Sequence, residues 1–339
     1  MTGPSRRALL LAPLMLPRLA RAAAPQIAQR LAERYAIQAP LGYVAALIGS
    51  AQRQLGPALP ARSRQALLAL RDAAPATPPA DWPQRAGYAA FAEAARHDGD
   101  AACAELALQA LRSAIVDTPA GPRLAGLRAW TDDLFMATLL VDRTLALLPA
   151  AERPRATEAL GATLLEQAGR LQRPGGLFDH AEGSPVAWGR GNGFAALALA
   201  QALAGPLVPP AAAAPLLARL QAHLRALLPL QGGDGLWRQV LDLPNAPAEL
   251  TVTAMSLTAL ATARAHGWLP AGAANGAIAR AWAAVQDGVD ADGGFTGVCA
   301  GTPAGPTLDF YLRRPIVNGR DDRAAALVMQ AAIAVAAAQ

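Results

Sequence analysis

The chain has 339 residues, of which 53% are hydrophobic and only 16% are charged, with a mean hydropathy of +0.22. This composition is too apolar for an intrinsically disordered chain, and the length fits one large domain or two small ones. Four of the five charges in the formal net charge of +5 come from the first 24 residues, which contain four arginines and no acid. The rest of the chain is nearly neutral, so it lacks the clustered cations that a nucleic-acid-binding face requires.

The first segment has the pattern of an export signal. Arg6 and Arg7 precede an apolar stretch, and small residues up to Ala24 resemble a cleavage site. The Arg-Arg-x-Leu-Leu order is similar to a twin-arginine signal, and an ordinary secretory signal is the alternative. We therefore expect residues 1–24 to be an export signal, residues 25–339 to form one mature domain, and the mature protein to be periplasmic.

Helical periodicity dominates the remaining chain, and strand patterns are almost absent. Proline and glycine interrupt the apolar stretches, so none offers the ~20 continuous apolar residues of a membrane-spanning helix. The breakers delimit twelve predicted helical segments, which span 26–37, 41–55, 61–74, 82–97, 99–117, 131–148, 152–172, 192–204, 211–230, 249–266, 273–288 and 320–337.

Short and long connections alternate between these segments, and three long loops begin with related glycine-rich motifs. The motifs contain Gly176, Gly235 and Gly294 and recur every 59 residues. A fixed period of this size indicates a repeat architecture. Each unit is a helical hairpin that cannot bury its apolar face alone, whereas six hairpins around one axis bury one another. The sequence thus predicts an all-α fold, an (α/α)6 toroid with six hairpins in a single domain.

Polar residues mark one end of this predicted toroid. In such a fold the helices after the long loops form the inner ring, and acids stand at their N-termini, among them Asp81, Asp132 and Glu249. Each acid is also explained as a simple N-cap, because unpaired N–H groups and the helix dipole favour acids there. The long loops add aromatic residues such as Trp130 and Trp188, whose faces suit the apolar faces of sugars.

Three segments carry a resemblance to a known family. Trp130–Met136 (WTDDLFM), Trp188–Phe194 (WGRGNGF) and Gly176–His180 (GLFDH) resemble the unsaturated uronyl hydrolases of glycoside hydrolase families 88 and 105, most closely the unsaturated rhamnogalacturonyl hydrolases of family 105. The resemblance runs from about Asp81 to the C-terminus and implies an (α/α)6 barrel. It also implies a substrate, the oligosaccharides that polysaccharide lyases leave, and a reaction in which an aspartic acid protonates C4 of the C4=C5 double bond and water adds at C5. It implies no metal and no organic cofactor.

The resemblance assigns roles to individual residues. Asp132 matches the acid/base of the family, and Asp81 is the candidate for the second carboxylate. The substrate-binding candidates are Trp130, His180, Trp188, Arg190, Asn192 and Trp237. Arg190 suits a uronate because a guanidinium binds a carboxylate bidentately. Structural alternatives stay open: an ion pair for Arg190, loop stabilisation for His180, a helix cap for Asn192 and core packing for Trp237.

Two other classes of α-toroid remain as alternatives. Gln231–Trp237 (QGGDGLW) matches the Gln-x3-Gly-x-Trp repeat of isoprenoid cyclases. Those enzymes also carry an Asp-x-Asp-Asp motif, and this sequence has Trp130 in place of its first aspartate, before Asp132 and Asp133. A non-catalytic carbohydrate-binding toroid is the other alternative.

The two cysteines, Cys103 and Cys299, allow either one disulfide in an oxidising compartment or two buried free thiols. The expected binding partner is an unsaturated oligosaccharide. We expect no nucleic-acid partner and no membrane span in the mature protein, and the sequence predicts no oligomeric state.

Overall fold

The computed structural model describes residues 18–337, with side chains from residue 24 onward, so residues 1–17 of the predicted export signal lie outside the described part. All twelve predicted segments contain a helix. The helices are α1 Arg18–Arg34, α2 Tyr43–Leu55, α3 Ala61–Asp72, α4 Trp82–Arg85, α5 Ala89–Asp98, α6 Ala101–Arg112, α7 Thr131–Thr144, α8 Arg153–Leu171, α9 Gly189–Ala204, α10 Pro210–Leu227, α11 Leu250–Ala265, α12 Asn275–Asp287, α13 Leu308–Leu312 and α14 Asp322–Ala337.

Three short antiparallel strand pairs lie in the loops between the helices. The strands are β1 Ile115–Thr118, β2 Gly121–Leu124, β3 Trp237–Arg238, β4 Ala248–Glu249, β5 Phe295–Cys299 and β6 Ile316–Gly319. They pair as β1 with β2, β3 with β4 and β5 with β6.

Six helices form a closed inner ring, which confirms the predicted toroid. Helices α2, α5, α7, α9, α11 and α14 contact one another in this order, and α14 contacts α2 to close the ring. The outer helices α1, α3, α6, α8, α10 and α12 pack against this ring. Inner helices such as α9 and α11 are apolar on nearly every side and buried along most of their length, as expected for helices enclosed by other helices.

The repeated glycines hold the long loops against the outer helices. Gly176 has a φ of +96°, and a Cβ atom built on it would lie 2.5 Å from the carbonyl oxygen of Ala222 in α10. Gly235 has a φ of +81°, and its Cβ would lie 2.5 Å from the carbonyl oxygen of Arg280 in α12. The positive φ and the close backbone approach both require glycine.

A glutamine four residues before each of these glycines completes the repeat. Gln172 Nε2 donates to the carbonyl oxygens of Gly176, at 3.1 Å, and Arg219, at 2.9 Å. Gln231 Nε2 donates in the same way to Gly235, at 2.9 Å, and Ala277, at 3.0 Å. The Gln-x3-Gly pattern is therefore a tie between a loop and the next outer helix.

The third unit closes the ring on the first helix. Tyr35, which follows α1, donates its hydroxyl hydrogen to the carbonyl oxygen of Gly293 at 2.8 Å. Arg34 of α1 pairs with Asp292 at 3.0 Å. The first and last hairpins are joined by this contact and by the packing of α1 against α14.

Three details differ from the sequence-based prediction. The segment predicted as one helix over 99–117 ends at Arg112, and β1 pairs with β2 in the register Ile115 with Leu124 and Thr118 with Gly121. β-Branched residues at 115, 116 and 118 explain this, because they favour strands over helices. The predicted helix 82–97 is divided by a 3-10 turn at Ala86–Tyr88. The long loop 289–319 contains β5, α13 and β6.

Both cysteines are free and buried, so the disulfide alternative is wrong. Burial raises the pKa of the Cys103 thiol to about 12, which keeps it protonated and unreactive. Among the described helices, none combines the length and the apolar character that crossing a membrane requires.

Candidate active site

The candidate acid lies in the first turn of α7. Trp130 is extended, with φ −116° and ψ 148°, and it ends the preceding loop, so Asp132 and Asp133 fall among the unpaired N–H groups of the helix start. Their side chains have different environments. The Asp132 side chain is 16% exposed, whereas that of Asp133 is fully buried. Of the two carboxyl groups, Asp132 is the one that a substrate reaches.

Asp132 forms a pair with His180. The Nε2 atom of His180 lies 3.2 Å from Oδ2 of Asp132, and the imidazole side chain is fully buried. The loop backbone holds this position, because Thr131 donates its N–H to the carbonyl oxygen of His180 at 3.0 Å, and His180 donates its own N–H to Val186 at 3.0 Å. The predicted acid and the predicted histidine are therefore in direct contact, although 48 residues separate them in the sequence.

A glycine in α9 makes room for this pair. A Cβ atom on Gly191 would lie 2.6 Å from Thr131 Oγ1 and 3.3 Å from Cδ2 of His180. The absence of a side chain lets the start of α9 approach the start of α7 with the imidazole between them. This gives Gly191, within the Trp-Gly-Arg-Gly-Asn segment, a steric role.

Arg128 links the remaining carboxylates of this region. Its Nη2 and Nε atoms donate to the Asp133 carboxylate at 2.6 and 3.1 Å, and its backbone N–H donates to the same group at 2.8 Å. Burial raises the pKa of Asp133, while these contacts with Arg128 oppose the rise. Arg128 also pairs with Asp81 at 3.4 Å and lies 4.2 Å over the ring of Trp130.

Asp81 has a different neighbour from the one expected of a second catalytic carboxylate. Its side chain is 44% exposed at the start of α4, and its ion-pair partner is Arg128. The Asp132 carboxylate acts on Arg128 as well, so a cation stands among the three carboxylates. The direct side-chain partners of Asp132 are the imidazole of His180, at 3.2 Å, and the hydroxyl of Thr131, at 3.3 Å.

Arg190 and Trp188 are buried beside His180. Nη1 of Arg190 donates to the carbonyl oxygen of Cys299 at 2.7 Å, and Nη2 donates to that of Ala300 at 2.6 Å. The guanidinium also lies 4.8 Å over the Trp188 ring, whose centroid is 4.4 Å from that of His180. These contacts give both Nη atoms of Arg190 structural partners at the end of β5, and its role in binding a uronate stays a prediction. The ion-pair alternative is wrong within the described part of the chain, since these partners are carbonyl groups.

Asn192 and Trp237 both have structural contacts within the protein, and their substrate-binding roles stay predictions. Asn192 is fully buried, its Oδ1 accepts from the N–H of Phe178 at 2.8 Å, and its Nδ2 donates to the Phe178 carbonyl at 2.9 Å. Trp237 is fully buried and donates its indole N–H to the carbonyl oxygen of Leu227 at 2.8 Å. Asn192 acts by fixing the loop that carries His180, and Trp237 belongs to the core.

Two residues that the sequence did not indicate complete the charged surroundings of Asp132. Burial raises the pKa of Tyr43, at the start of α2, while the nearby guanidinium groups of Arg323 and Arg190 lower it and the Asp132 carboxylate raises it further. Arg323, at the start of α14, donates to the Cys299 carbonyl over a long 3.4 Å contact. The segment Gly319–Asp322 (GRDD), directly before Arg323, is the available sequence signal for this side of the site.

Tyr311 is a further neighbour that no motif indicated. Its hydroxyl lies 2.5 Å from Nδ1 of His180 and 2.6 Å from Oγ of Ser184. Tyr311 belongs to α13, a five-residue helix within the last long loop. Its contact with His180 spans 131 residues of sequence, so local spacing carries no signal for it.

A cavity of about 600 Å³ lies at the other end of the ring, where the inner helices end. Several of its charged residues form ion pairs. Arg143 pairs with Glu93 at 2.7 Å and also contacts Asp142, and Arg53 pairs with Asp98 at 2.5 Å. None of the predicted site residues lines this cavity. The titratable pair and the half-buried Trp130 lie at the N-terminal end of the ring, and we place the candidate active site there.

Comparison with known proteins gives the class of this protein, a glycoside hydrolase. A family model described as Glycosyl Hydrolase Family 88 matches residues 168–337, which is half of the chain, and the chain belongs to that family. The matched half contains His180, Arg190 and Tyr311, whereas Asp132 lies before it.

Similar proteins agree with this family. The unsaturated rhamnogalacturonyl hydrolase YesR of Bacillus subtilis (strain 168) is 33% identical over 134 residues, which are 39% of this chain and 36% of that protein. The match thus spans about a third of the length of this relative. A solved structure from Salmonella enterica, described as a possible member of glycoside hydrolase family 105, has a TM-score of 0.79 at 19% identity over 99% of both chains. A family 88 glycosyl hydrolase from Bacteroides vulgatus has a TM-score of 0.76 at 16% identity, over 94% of this chain and 99% of the other.

Proposed function

We propose that this protein hydrolyses oligosaccharides that end in an unsaturated uronic acid, the products of polysaccharide lyases, and that Asp132 is the acid. The observation that carries the proposal is the Asp132–His180 pair, with 3.2 Å between Oδ2 and Nε2, in a chain of glycosyl hydrolase family 88. The half-buried Trp130 beside it offers an aromatic face to a sugar. The similarity to the unsaturated rhamnogalacturonyl hydrolase YesR supports a rhamnogalacturonyl substrate, and a glucuronyl substrate is the alternative.

The reaction that we propose is a hydration. The protonated carboxyl group of Asp132 gives its proton to C4 of the C4=C5 enol ether, and positive charge develops at C5 and the ring oxygen. A water molecule adds its oxygen to C5 and returns a proton to the Asp132 carboxylate. The resulting hemiketal opens and the remaining sugar is released. One carboxyl group acts in turn as general acid and general base, a role that typically contributes ~10²–10⁴-fold.

We propose Arg323 as the cation that binds the uronate carboxylate. Its guanidinium lies near Tyr43, as does Asp132, and the one hydrogen bond it donates to a carbonyl among the described residues is long, at 3.4 Å. The guanidinium of Arg190, in contrast, is engaged with two carbonyl groups at 2.7 and 2.6 Å. A carboxylate that approaches Asp132 therefore finds available donors on Arg323.

Two alternatives make different predictions. A non-catalytic carbohydrate-binding toroid binds the same sugars without consuming the double bond. The isoprenoid-cyclase alternative loses its main support, because Gln231 and Gln172 make the same structural tie and family membership accounts for the toroid.

An absorbance assay tests the proposal. The purified enzyme is incubated with lyase products of pectin, glycosaminoglycan, ulvan and alginate, and the ultraviolet absorbance of the conjugated C4=C5 bond is followed while the released sugar is quantified. We expect loss of absorbance together with sugar release on at least one of these products. Saturated counterparts of the same oligosaccharides are the control and are expected to remain intact. Binding without loss of absorbance on all four products contradicts the proposal.

A further inference from the structure

A chain of five hydrogen bonds runs from Asp132 into the protein. It passes from Oδ2 of Asp132 to Nε2 of His180, at 3.2 Å, and from Nδ1 of His180 to the hydroxyl of Tyr311, at 2.5 Å. Tyr311 contacts Oγ of Ser184 at 2.6 Å, and Ser184 donates to the carbonyl oxygen of Gly305 at 2.5 Å. The N–H of Gly305 donates back to the Tyr311 hydroxyl at 3.0 Å.

The donor and the acceptor of each bond in this chain of hydrogen bonds can be assigned, because the last acceptor is a carbonyl group. The Gly305 carbonyl only accepts, so the single hydroxyl hydrogen of Ser184 must point at it. Ser184 is then the acceptor for Tyr311, which uses the single phenolic hydrogen. The Tyr311 oxygen already accepts from the Gly305 N–H, and it must also accept from His180. Nδ1 of His180 therefore carries a hydrogen.

This order leaves one proton for the contact between His180 and Asp132. With Nδ1 protonated, a neutral imidazole presents a lone pair at Nε2, and an ionised Asp132 would face it with another lone pair. The hydrogen bond forms only when one proton lies between the two atoms, on the carboxyl oxygen or on Nε2. The pair thus holds the proton that a general acid must deliver.

We propose that Tyr311 is a positioning residue that fixes the Nδ1–H form of His180 and so keeps one proton on the Asp132–His180 pair. The proposal rests on the proposed function, in which Asp132 delivers that proton to C4. Tyr311 itself touches neither substrate nor reacting atoms.

The surroundings of Tyr311 keep it a hydrogen-bond donor. Its side chain is fully buried among Val186, Trp188 and Val240, and burial raises the pKa of its hydroxyl. The ionisable side chains near Asp132 are Asp133 beside it on α7, Arg128 before α7, and Tyr43 on α2. Arg323 on α14 and Arg190 on α9 act on the same Tyr43.

The tautomer of His180 is measurable without any substrate. The chain has four histidines, so ¹⁵N NMR of imidazole-labelled enzyme, compared with a His180→Gln variant, identifies the His180 signals. We expect Nδ1 of His180 to be protonated in the wild type. In Ser184→Ala the Tyr311 hydrogen loses its acceptor and is free to turn to Nδ1, so we expect the Nε2–H form to appear. The control is Ser256→Ala, which removes a buried hydroxyl that has no partner among the described residues, and it is expected to leave the His180 signals unchanged.

Steady-state kinetics provide a second test of the positioning role of Tyr311. Tyr311→Phe keeps the ring and removes the hydroxyl, and we expect kcat to fall roughly tenfold while KM changes less than ~2-fold, because the lost bond acts on proton delivery. The matched control is Tyr88→Phe, whose buried hydroxyl also has no partner within the described part of the chain. If Tyr311→Phe fails to fold, Ser184→Ala gives the same comparison.

The outcomes separate this inference from the proposed function. An unprotonated Nδ1 on His180 in the wild type overturns the inference whatever the activity, and so does a rise in KM at constant kcat in Tyr311→Phe. A protonated Nδ1 in an enzyme that consumes no unsaturated uronide contradicts the proposed function and leaves the tautomer assignment standing.

Discussion

Arg190 and Arg323 show how neighbouring residues of the same type take different roles. Both act on the charge state of Tyr43 beside Asp132. Arg190 is 2% exposed and donates to the carbonyl groups of Cys299, the last residue of β5, and of Ala300 after it. Arg323 is only partly buried and makes one long contact, with the Cys299 carbonyl group. Contacts with the fold, and not residue type, separate a structural cation from one available to a ligand.

We expect the two arginines to respond differently to alanine substitution. Arg323→Ala removes a charge-assisted bond to the substrate, worth ~1.5–3 kcal/mol, and should lower kcat/KM roughly 10–150-fold, mainly by raising KM. Arg190→Ala leaves two carbonyl groups without donors and should lower the free energy of unfolding by ~2–4 kcal/mol, with near-normal KM at low temperature. The control is Arg313→Ala, whose side chain is 79% exposed. Steady-state kinetics and urea unfolding of the three variants test both expectations. A raised KM in Arg190→Ala together with a lowered stability in Arg323→Ala would assign the substrate-binding role to Arg190.

The motifs of the sequence name the two central residues of the candidate site but not the long-range contacts around them. Asp132 and His180 were identified from motifs, and the two side chains meet at 3.2 Å. Arg190 lies within such a motif too, but its partners follow it by 109 and 110 residues. Tyr311 is as distant from His180. Contacts of this range depend on how the hairpins close around the axis, which local residue patterns do not encode.

The loop–helix tie at Gly176 is the smallest repeated element of the fold. The same geometry recurs at Gly235, with Gln231 in the place of Gln172. The 59-residue period therefore predicted a real structural equivalence.

Substitution of two adjacent glycines tests this element. A side chain at Gly176 meets the Ala222 carbonyl and a φ of +96°, so Gly176→Ala should cost at least ~1–2 kcal/mol of unfolding free energy. Gly175 has nothing within 4 Å of a built Cβ, and Gly175→Ala should stay within ~0.5 kcal/mol of the wild type. Chemical denaturation of both variants provides the comparison, and equal stabilities would show that the tie is not required.

His223 of α10 connects the same loop to α9. Its Nδ1 lies 3.1 Å from the Gly176 carbonyl oxygen and its Nε2 lies 3.1 Å from that of Asn192. Burial lowers the pKa of His223 to about 4, although both carbonyl contacts oppose the shift. Protonation of the His223 imidazole is therefore less favourable in the folded state than in the unfolded chain, where a histidine has a pKa of ~6.5.

The sign of the resulting pH dependence follows from this difference. Because the unfolded state binds more protons below pH ~6.5, the free energy of unfolding should fall as the pH drops from ~6.5 towards 4, by up to ~3 kcal/mol from this residue. His223→Gln should be less stable at neutral pH but should lose less stability over that window. Urea unfolding at several pH values measures both slopes, and identical slopes in the two proteins would refute the assignment to His223.

The sequence predicts the elements that have a long apolar periodicity, the helices, and misses the short paired strands. The twelve helical segments follow from the apolar pattern and from proline and glycine between them. The β1–β2 pair involves only four residues on each side, and β1 follows a helix with no proline or glycine before Pro119. A periodicity window long enough to detect a helix averages over a strand of this length.

At the scale of the whole molecule, the closed ring gives the two ends different chemistry. Asp132, His180 and the cations around Tyr43 lie at the N-terminal ends of the inner helices. The C-terminal ends surround a cavity in which Arg143 and Arg53 form ion pairs. The first helix takes part in closing the ring through Arg34 and Tyr35. These contacts lie beyond the predicted cleavage site near Ala24, so export is compatible with a closed toroid.

We propose that the mature protein acts outside the cytoplasm and begins after residues 22–24. The motivating pattern is Arg6-Arg7, followed by an apolar stretch and small residues. N-terminal sequencing of the protein from its native cells, together with cell fractionation, provides the measurement. A soluble cytoplasmic protein that retains Met1 or Thr2 would contradict export.

The most direct test of the central claim compares the wild type with Asp132→Asn on the lyase product that the wild type consumes fastest. The amide keeps the shape of the carboxyl group but cannot deliver and recover a proton, so turnover should fall by ~10²–10⁴-fold while the melting temperature stays close to that of the wild type. The rate is read from the loss of C4=C5 absorbance at saturating substrate. The account predicts a folded variant with almost no turnover. A folded Asp132→Asn enzyme that keeps more than about a tenth of the wild-type rate, where the expected loss is at least ~10²-fold, would contradict it.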